Sequence, residues 1–144
     1  MTKPILRAAG KGELWNVLGE QIICKVAGGE TFGRFTVVEE ISPPKAAVPP
    51  HFHRQTDEII YVLEGAYEIE CDGRKSIARS GDVCVIPRGT THGFKNLLAV
   101  PGKMLAIITP SGFENFFAEV SQLKKPDAQA IVEIGRRNDL ELVM

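Results

Sequence analysis

Between Glu13 and Thr109 the chain is divided into short apolar runs by turn residues. Runs bounded by Gly, Pro, Asn, Asp and Ser at intervals of about eight to twelve positions are the pattern of a β-sandwich or barrel. The reading is β throughout: Leu14–Leu18, Gln21–Val26 and Arg34–Glu39 come first, the last two separated by a Gly28-Gly29-Glu30-Thr31 turn. Glu58–Leu63 ends at Glu64-Gly65, and Tyr67-Glu68-Ile69-Glu70-Cys71 alternates apolar with acidic residues, as a strand with one wet face does. Asp72-Gly73 is a two-residue hairpin signal leading into Arg74–Ala78. Ser80-Gly81-Asp82 turns into Val83–Ile86, Pro87-Arg88-Gly89 turns into a strand at His92, and Met104–Ile108 closes the set. Ser42–Pro50 carries four prolines, which donate no ladder hydrogen bond, so an extended loop is expected there.

The tail changes period. Phe113, Phe116, Phe117, Val120 and Leu123 fall on one helical face, behind a Ser111-x-x-Glu114 capping-box spacing. That face reads as core, and it also suits a helix covering one mouth of the barrel. A second helix is expected to begin at Pro126 and to stop at Asn138, with Arg136-Arg137 as cations at its C-terminus. The expected organisation is an N-terminal arm over 1–12, a β-barrel over 13–109 and a helical segment over 110–144, packed as one domain.

Two of the three histidines stand in His51-Phe52-His53. Residues i and i+2 of a strand point the same way with Cα atoms about 6.6 Å apart, so both rings can reach one ion at about 2.1 Å. Glu58, opening the next run, can add a carboxylate from a neighbouring strand, and His92 supplies a third imidazole. Three imidazoles and a carboxylate suit one divalent transition metal ion, whether Fe, Mn, Ni, Co, Cu or Zn. Any one of these histidines taken alone is better explained as a satisfied core or surface group. Gly65, Gly81 and Gly89 read as turn positions with positive φ, and Asn96 as a structural hydrogen-bonding residue. Arg88 and Lys95 read as solvated loop charges, with an anionic ligand as the alternative. Tyr61, Phe52, Phe94 and Met104 are candidates to line a cavity.

These residues resemble the two motifs of the cupin superfamily. His51, His53, Glu58 and Gly65 match the first, with Lys45 where that motif has its leading glycine and Pro49-Pro50 expected to shape the turn instead. Gly81, Pro87, Gly89, His92 and Asn96 match the second in full. The resemblance implies an all-β, antiparallel double-stranded β-helix (a jelly-roll barrel) with a short helical tail. It implies His51, His53, Glu58 and His92 as metal ligands, with Glu58 also as the catalytic base. The Thr109–Phe113 junction is similar to small proteins of the quercetin-dioxygenase-like group. That likeness implies a metal-dependent dioxygenase acting on a small phenolic or enolisable substrate. A non-redox isomerase or decarboxylase and a non-catalytic binding module are the alternatives. In that family an N-terminal strand often pairs with a second subunit, so a homodimer is expected.

Composition narrows the partners. With 144 residues there is one domain's worth of core, and a formal charge of −1 gives no reason to expect nucleic acid or an anionic membrane. No stretch approaches the ~20 apolar residues of a membrane span, and Met1–Arg7 lacks a signal-peptide run, so a cytoplasmic protein is expected. Cys24, Cys71 and Cys84 are odd in number without C-x-x-C spacing, and read as free thiols.

Overall fold

The computed structural model describes residues 3–143. Among them the chain forms ten strands, with a 3-10 turn at Gly28–Glu30 between the second and third, then two α-helices and a last short strand. The strands are β1 (Glu13–Val17), β2 (Glu20–Val26), β3 (Thr36–Ser42), β4 (Ala47–Phe52), β5 (Asp57–Glu64), β6 (Ala66–Cys71), β7 (Arg74–Arg79), β8 (Val83–Ile86), β9 (His92–Asn96) and β10 (Gly102–Thr109). Helices α1 (Glu114–Ser121) and α2 (Ala128–Arg137) follow, then β11 (Glu141–Leu142). Two antiparallel sheets face each other, in the orders β1-β2-β3-β10-β5-β8 and β11-β4-β9-β6-β7. This is the jelly-roll sandwich expected of the strand pattern, with a C-terminal helical tail.

The alternation along each strand decides what lies between the sheets. In β10 every second residue is buried, so Met104, Ala106 and Ile108 face inward. One apolar cluster joins Trp15, Val38, Ala106 and Ile108 to Phe116, Phe117 and Val120 of α1 and Ile134 of α2. A second, built from Ile60, Val62, Tyr67, Ile69, Phe94 and Met104, fills the other end. Between them the interior stays open.

Only the first half of the proline-rich stretch, 43–46, is a loop. Val48, Pro49 and Pro50 lie within β4, between β9 and the two-residue β11. The β4–β9 register slips between Val48 and His51, so the prolines occupy the irregularity, where ladder donors are not needed. The Pro50 carbonyl still accepts from Val143 N at 3.0 Å. Nor do Pro49 and Pro50 make the preceding turn, which the Ala46 N–H closes onto the Pro43 carbonyl at 3.1 Å. Lys45 makes it, at φ +62°, the left-handed conformation a glycine would take more easily. Its Nζ donates to the Leu97 carbonyl at 2.6 Å and its backbone N–H to the Leu98 carbonyl at 3.2 Å, anchoring a conformation costly for a side chain.

The helix ends also differ from expectation. Helix α1 begins at Glu114, with Phe113 at its N-cap and no side-chain cap. The Glu114 carboxylate accepts from Gly112 N at 2.6 Å and from Gly28 N at 2.8 Å, tying the helix start to the distant 28–30 turn. Pro126 precedes α2, whose N-cap is Asp127, accepting from Ala130 N at 2.8 Å. Asn138 does stop it. Strand β11 was not expected: two residues are too short for a period-two signal.

Candidate metal centre

The sandwich brings together all four predicted side chains. His51 on β4 and His92 on β9 are direct register partners, their ring centroids 4.3 Å apart. His53 stands just beyond β4, its carbonyl accepting from Gly89 N at 2.7 Å. Glu58 reaches in from β5, which belongs to the opposite sheet and is not a neighbour of β4. The chain crosses from one sheet to the other between positions 53 and 57, so the carboxylate faces the imidazoles instead of standing beside them. All four are buried.

Each imidazole is fixed in the same way. Nδ1 of His51 donates to the Pro49 carbonyl (2.9 Å), Nδ1 of His53 to the Asp139 carbonyl (2.7 Å) and Nδ1 of His92 to the Thr90 carbonyl (2.9 Å). These acceptors assign the proton to Nδ1 and leave Nε2 with a lone pair aimed inward. His92 Nε2 is buried without a hydrogen-bond partner among the described residues. Glu58 Oε2 lies 3.4 Å from it and 3.5 Å from His53 Nε2. One nitrogen from each of the three rings lies within 4.8 Å of the others, close to the span of two metal–nitrogen bonds of about 2.1 Å. Lone pairs and a carboxylate oxygen converging in a buried space repel unless positive charge sits among them. The donor set therefore fits a metal cation.

Burial and close contact perturb three of the four groups in different directions. Burial holds His51 down at about 4, helped by the neighbouring His92, so its ring is a neutral ligand at pH 7. Burial also pulls His53 down, but the hydrogen bond and charge of Glu58 outweigh it and raise the ring. Burial pushes Glu58 up, yet the His53 and His92 rings beside it hold its carboxyl well below the usual carboxylate range.

The cluster forms one end of a cavity of about 280 Å³. Its walls are largely apolar, with Phe94 from β9 and Phe113, Phe116 and Phe117 from the start of α1. The edge of the Phe113 ring meets His53 at a centroid distance of 4.5 Å. The first helix thus serves as both core and cavity wall. Of the other candidates, Tyr61 points outward and is 41% exposed, and Met104 is fully buried in the apolar core. Phe52 lies under Arg54, whose Cζ is 5.0 Å from the ring centre. Arg88 is taken up by Asp57 at 3.1 Å, and Lys95 is exposed. Asn96 is fully buried and donates Nδ2 to the carbonyls of Pro43 and Val100, a structural role as expected.

Three residues of the site escaped the sequence reading. Asp139 supports His53 through its carbonyl and the 53–57 crossing through its side chain. Its carboxylate accepts from Arg54 N (2.8 Å), Gln55 N (3.1 Å) and Thr56 Oγ1 (3.1 Å). Glu20 and Glu40 are both buried and line the cavity. Period two along Thr36-Val37-Val38-Glu39-Glu40-Ile41-Ser42 puts Glu40 on the face of Val38, a signal that was present.

A family model described as "Cupin domain" matches residues 38–108. Quercetin 2,3-dioxygenase of Bacillus subtilis (strain 168) is 36% identical over 93 residues, which are 64% of this chain and 27% of that protein. Pectin degradation protein KdgF of Dickeya dadantii (strain 3937) is 30% identical over 84 residues, 58% of this chain and 74% of that protein. The solved structure of KdgF from Halomonas sp. superposes with a TM-score of 0.68 at 25% identity, covering 75% of this chain and 94% of that one. The chain therefore spans about a quarter of the dioxygenase's length and most of each KdgF. With the histidine cluster and the two-sheet fold, these likenesses establish that the chain belongs to the cupin family.

Proposed function

We propose that the protein is a metal-dependent oxidoreductase of the dioxygenase type, acting on a small phenolic or enolisable compound. The observation that carries this reading is the convergence of three imidazole Nε2 lone pairs and one carboxylate oxygen at the end of an apolar cavity. A divalent transition metal held by His51, His53, His92 and Glu58 supplies Lewis acidity toward a phenolate or enolate oxygen. The chain does the rest. Glu58, ionised and facing the His53 and His92 rings, takes the proton of the substrate's acidic O–H or C–H at Oε2. Phe94, Phe113 and Phe116 position a planar ring and exclude water, which strengthens every charge interaction at that end. Likeness to a quercetin 2,3-dioxygenase supports the reaction class. The same proposal places the protein as a homodimer, with β1, an edge strand, as the pairing element.

The test is oxygen uptake by protein loaded in turn with Fe, Mn, Ni, Co and Cu, against flavonols, catechols and β-diketones. Uptake coupled to substrate loss in at least one form, abolished in Glu58→Ala, is the expected result. Absence of uptake across all forms counts against the reading.

Likeness to KdgF over most of that protein's length favours a second reading. Here the same metal serves an oxygen-independent isomerisation or decarboxylation of a carbohydrate-derived, enolisable acid. Turnover under argon, with no oxygen consumed in air, separates it from the first.

A further inference from the structure

We propose that Glu40, with Glu20 beside it, forms a second polar point of the substrate site and selects a ligand that carries a neutral hydroxyl besides the oxygens the metal would hold. The inference rests on the reading of the cavity as a metal-dependent substrate site. The two glutamates lie on β2 and β3, outside both histidine motifs, yet they line the cavity that the histidines and Glu58 close.

Glu40 sits opposite Ile22 on one side and Met104 on the other, both inward-facing, so its side chain points between the sheets. It is only 5% exposed, and among the described residues no hydrogen bond reaches its carboxyl. A largely buried carboxyl without a protein partner is costly to desolvate, so it has a reason to be there. The charged groups that face it, Glu20 and Glu58, are both acidic. Glu20 is already engaged, through a hydrogen bond with the Ser42 hydroxyl, which in turn accepts from Tyr67 Oη at 3.0 Å. Within a mostly aromatic and aliphatic cavity, Glu40 is a wall carboxyl outside the candidate ligand set whose hydrogen-bonding capacity no described residue takes up.

The chemistry of that carboxyl sets the ligand class. Burial, then the charges of Glu20 and Glu58, push Glu40 well above the usual carboxylate range, which favours its protonated form, with one O–H donor and one C=O acceptor, over that of an exposed carboxyl. A hydroxyl complements both. A carboxylate or phosphate would face three acidic groups in a low dielectric. An ammonium would carry its own desolvation cost and require a buried ion pair, which rarely gives a net gain.

Four catechols with one ring and different side-chain ends test this by anaerobic calorimetry on the Zn-loaded protein, a redox-inert form. They are 4-ethylcatechol, 4-(2-hydroxyethyl)catechol, 3,4-dihydroxyphenylacetate and 4-(2-aminoethyl)catechol. The hydroxyl compound is expected to bind at least about 10-fold more tightly than each of the other three, the effect of one well-made buried hydrogen bond. Glu40→Gln, which keeps a donor and an acceptor, retains the preference. Glu40→Leu brings the ethyl and hydroxyethyl compounds to within about 2-fold of each other, with Zn content unchanged. Equal affinities across the wild-type series overturn the inference, and so does a preference for the amine, the carboxylate or a hydroxyl preference that survives in Glu40→Leu. In those cases Zn-dependent binding of 4-ethylcatechol still upholds the metal site. If no catechol binds in a Zn-dependent way, the reading of the metal-linked cavity fails and takes this inference with it.

Discussion

The backbone carbonyl of Asp139 accepts a 2.7 Å hydrogen bond from His53 Nδ1 across 86 positions of chain. The turn between α2 and β11 therefore orients a ligand side chain of the candidate metal centre. Asp139 itself takes φ +64°, and its carboxylate holds the backbone of the 53–57 crossing.

Removing that carboxylate isolates its contribution. Asp139→Ala is expected to lower metal affinity about 10- to 100-fold, the usual effect of losing support behind a ligand. It should also cost about 1–3 kcal/mol of stability through the unpaired Arg54 and Gln55 amides. Competition with a chromophoric chelator measures the first and urea unfolding the second. Unchanged affinity would show that the crossing holds its shape without Asp139.

Close approach of β4 to β9 gives a second prediction. A Cβ on Gly93 would lie 2.8 Å from the Val48 carbonyl oxygen and 3.2 Å from Pro50 N, both backbone atoms of the irregular stretch before His51. Gly93→Ala must push the strands apart, at a cost of about 1–3 kcal/mol, and displace His51 from His92. Denaturant unfolding together with metal titration tests both effects. An alanine variant that matches wild type in each would mean that the strands slide freely there.

Lys45 offers a comparison in which the ammonium is absent from both members. Lys45→Gly accepts φ +62° without strain, whereas Lys45→Ala keeps the clash of a Cβ. The glycine variant is expected to be the more stable by about 1 kcal/mol, read from thermal unfolding, despite the greater freedom of its unfolded chain. The reverse order would contradict the left-handed turn.

The histidine pair was legible in the sequence because it needs only period two and local spacing, and His92 because turn residues flank it in a second motif. The two-sheet architecture was legible for the same reason: the strands alternate and the turns carry Gly, Pro and Asp. What was not legible depends on pairings that no local pattern encodes. Pro49 and Pro50 forbid an ordinary central strand, and only the register slip against β9 and the glycine at position 93 make β4 possible. Glu58 looks adjacent to His53 in sequence but acts from the opposite sheet. Glu40 stood on a buried face by alternation, yet its charge argued for solvent, and the cavity that resolves this exists only in three dimensions.

Glu40 also predicts a pH dependence. Its folded pKa lies well above the ordinary 4.5, so the folded state holds a proton that the unfolded chain gives up. Its contribution to stability is complete below that ordinary value and is lost as pH rises toward the folded one. Glu40→Gln, which cannot ionise, should therefore gain on wild type as pH rises from 4.5 toward neutrality. Thermal melts of both proteins across that interval measure the gap. A gap that stays constant, or that shrinks with rising pH, would place an ionised carboxylate at this position.

The central claim is that His51, His53 and His92 share one cation. Elemental analysis of purified, metal-loaded protein before and after His92→Ala tests it most directly, because His92 Nε2 is the buried atom left without a partner. The account predicts about one transition-metal ion per chain in wild type and a loss of most of it in the variant, with the fold retained by circular dichroism. Equal metal content in the two proteins, or none in wild type after loading, would contradict it.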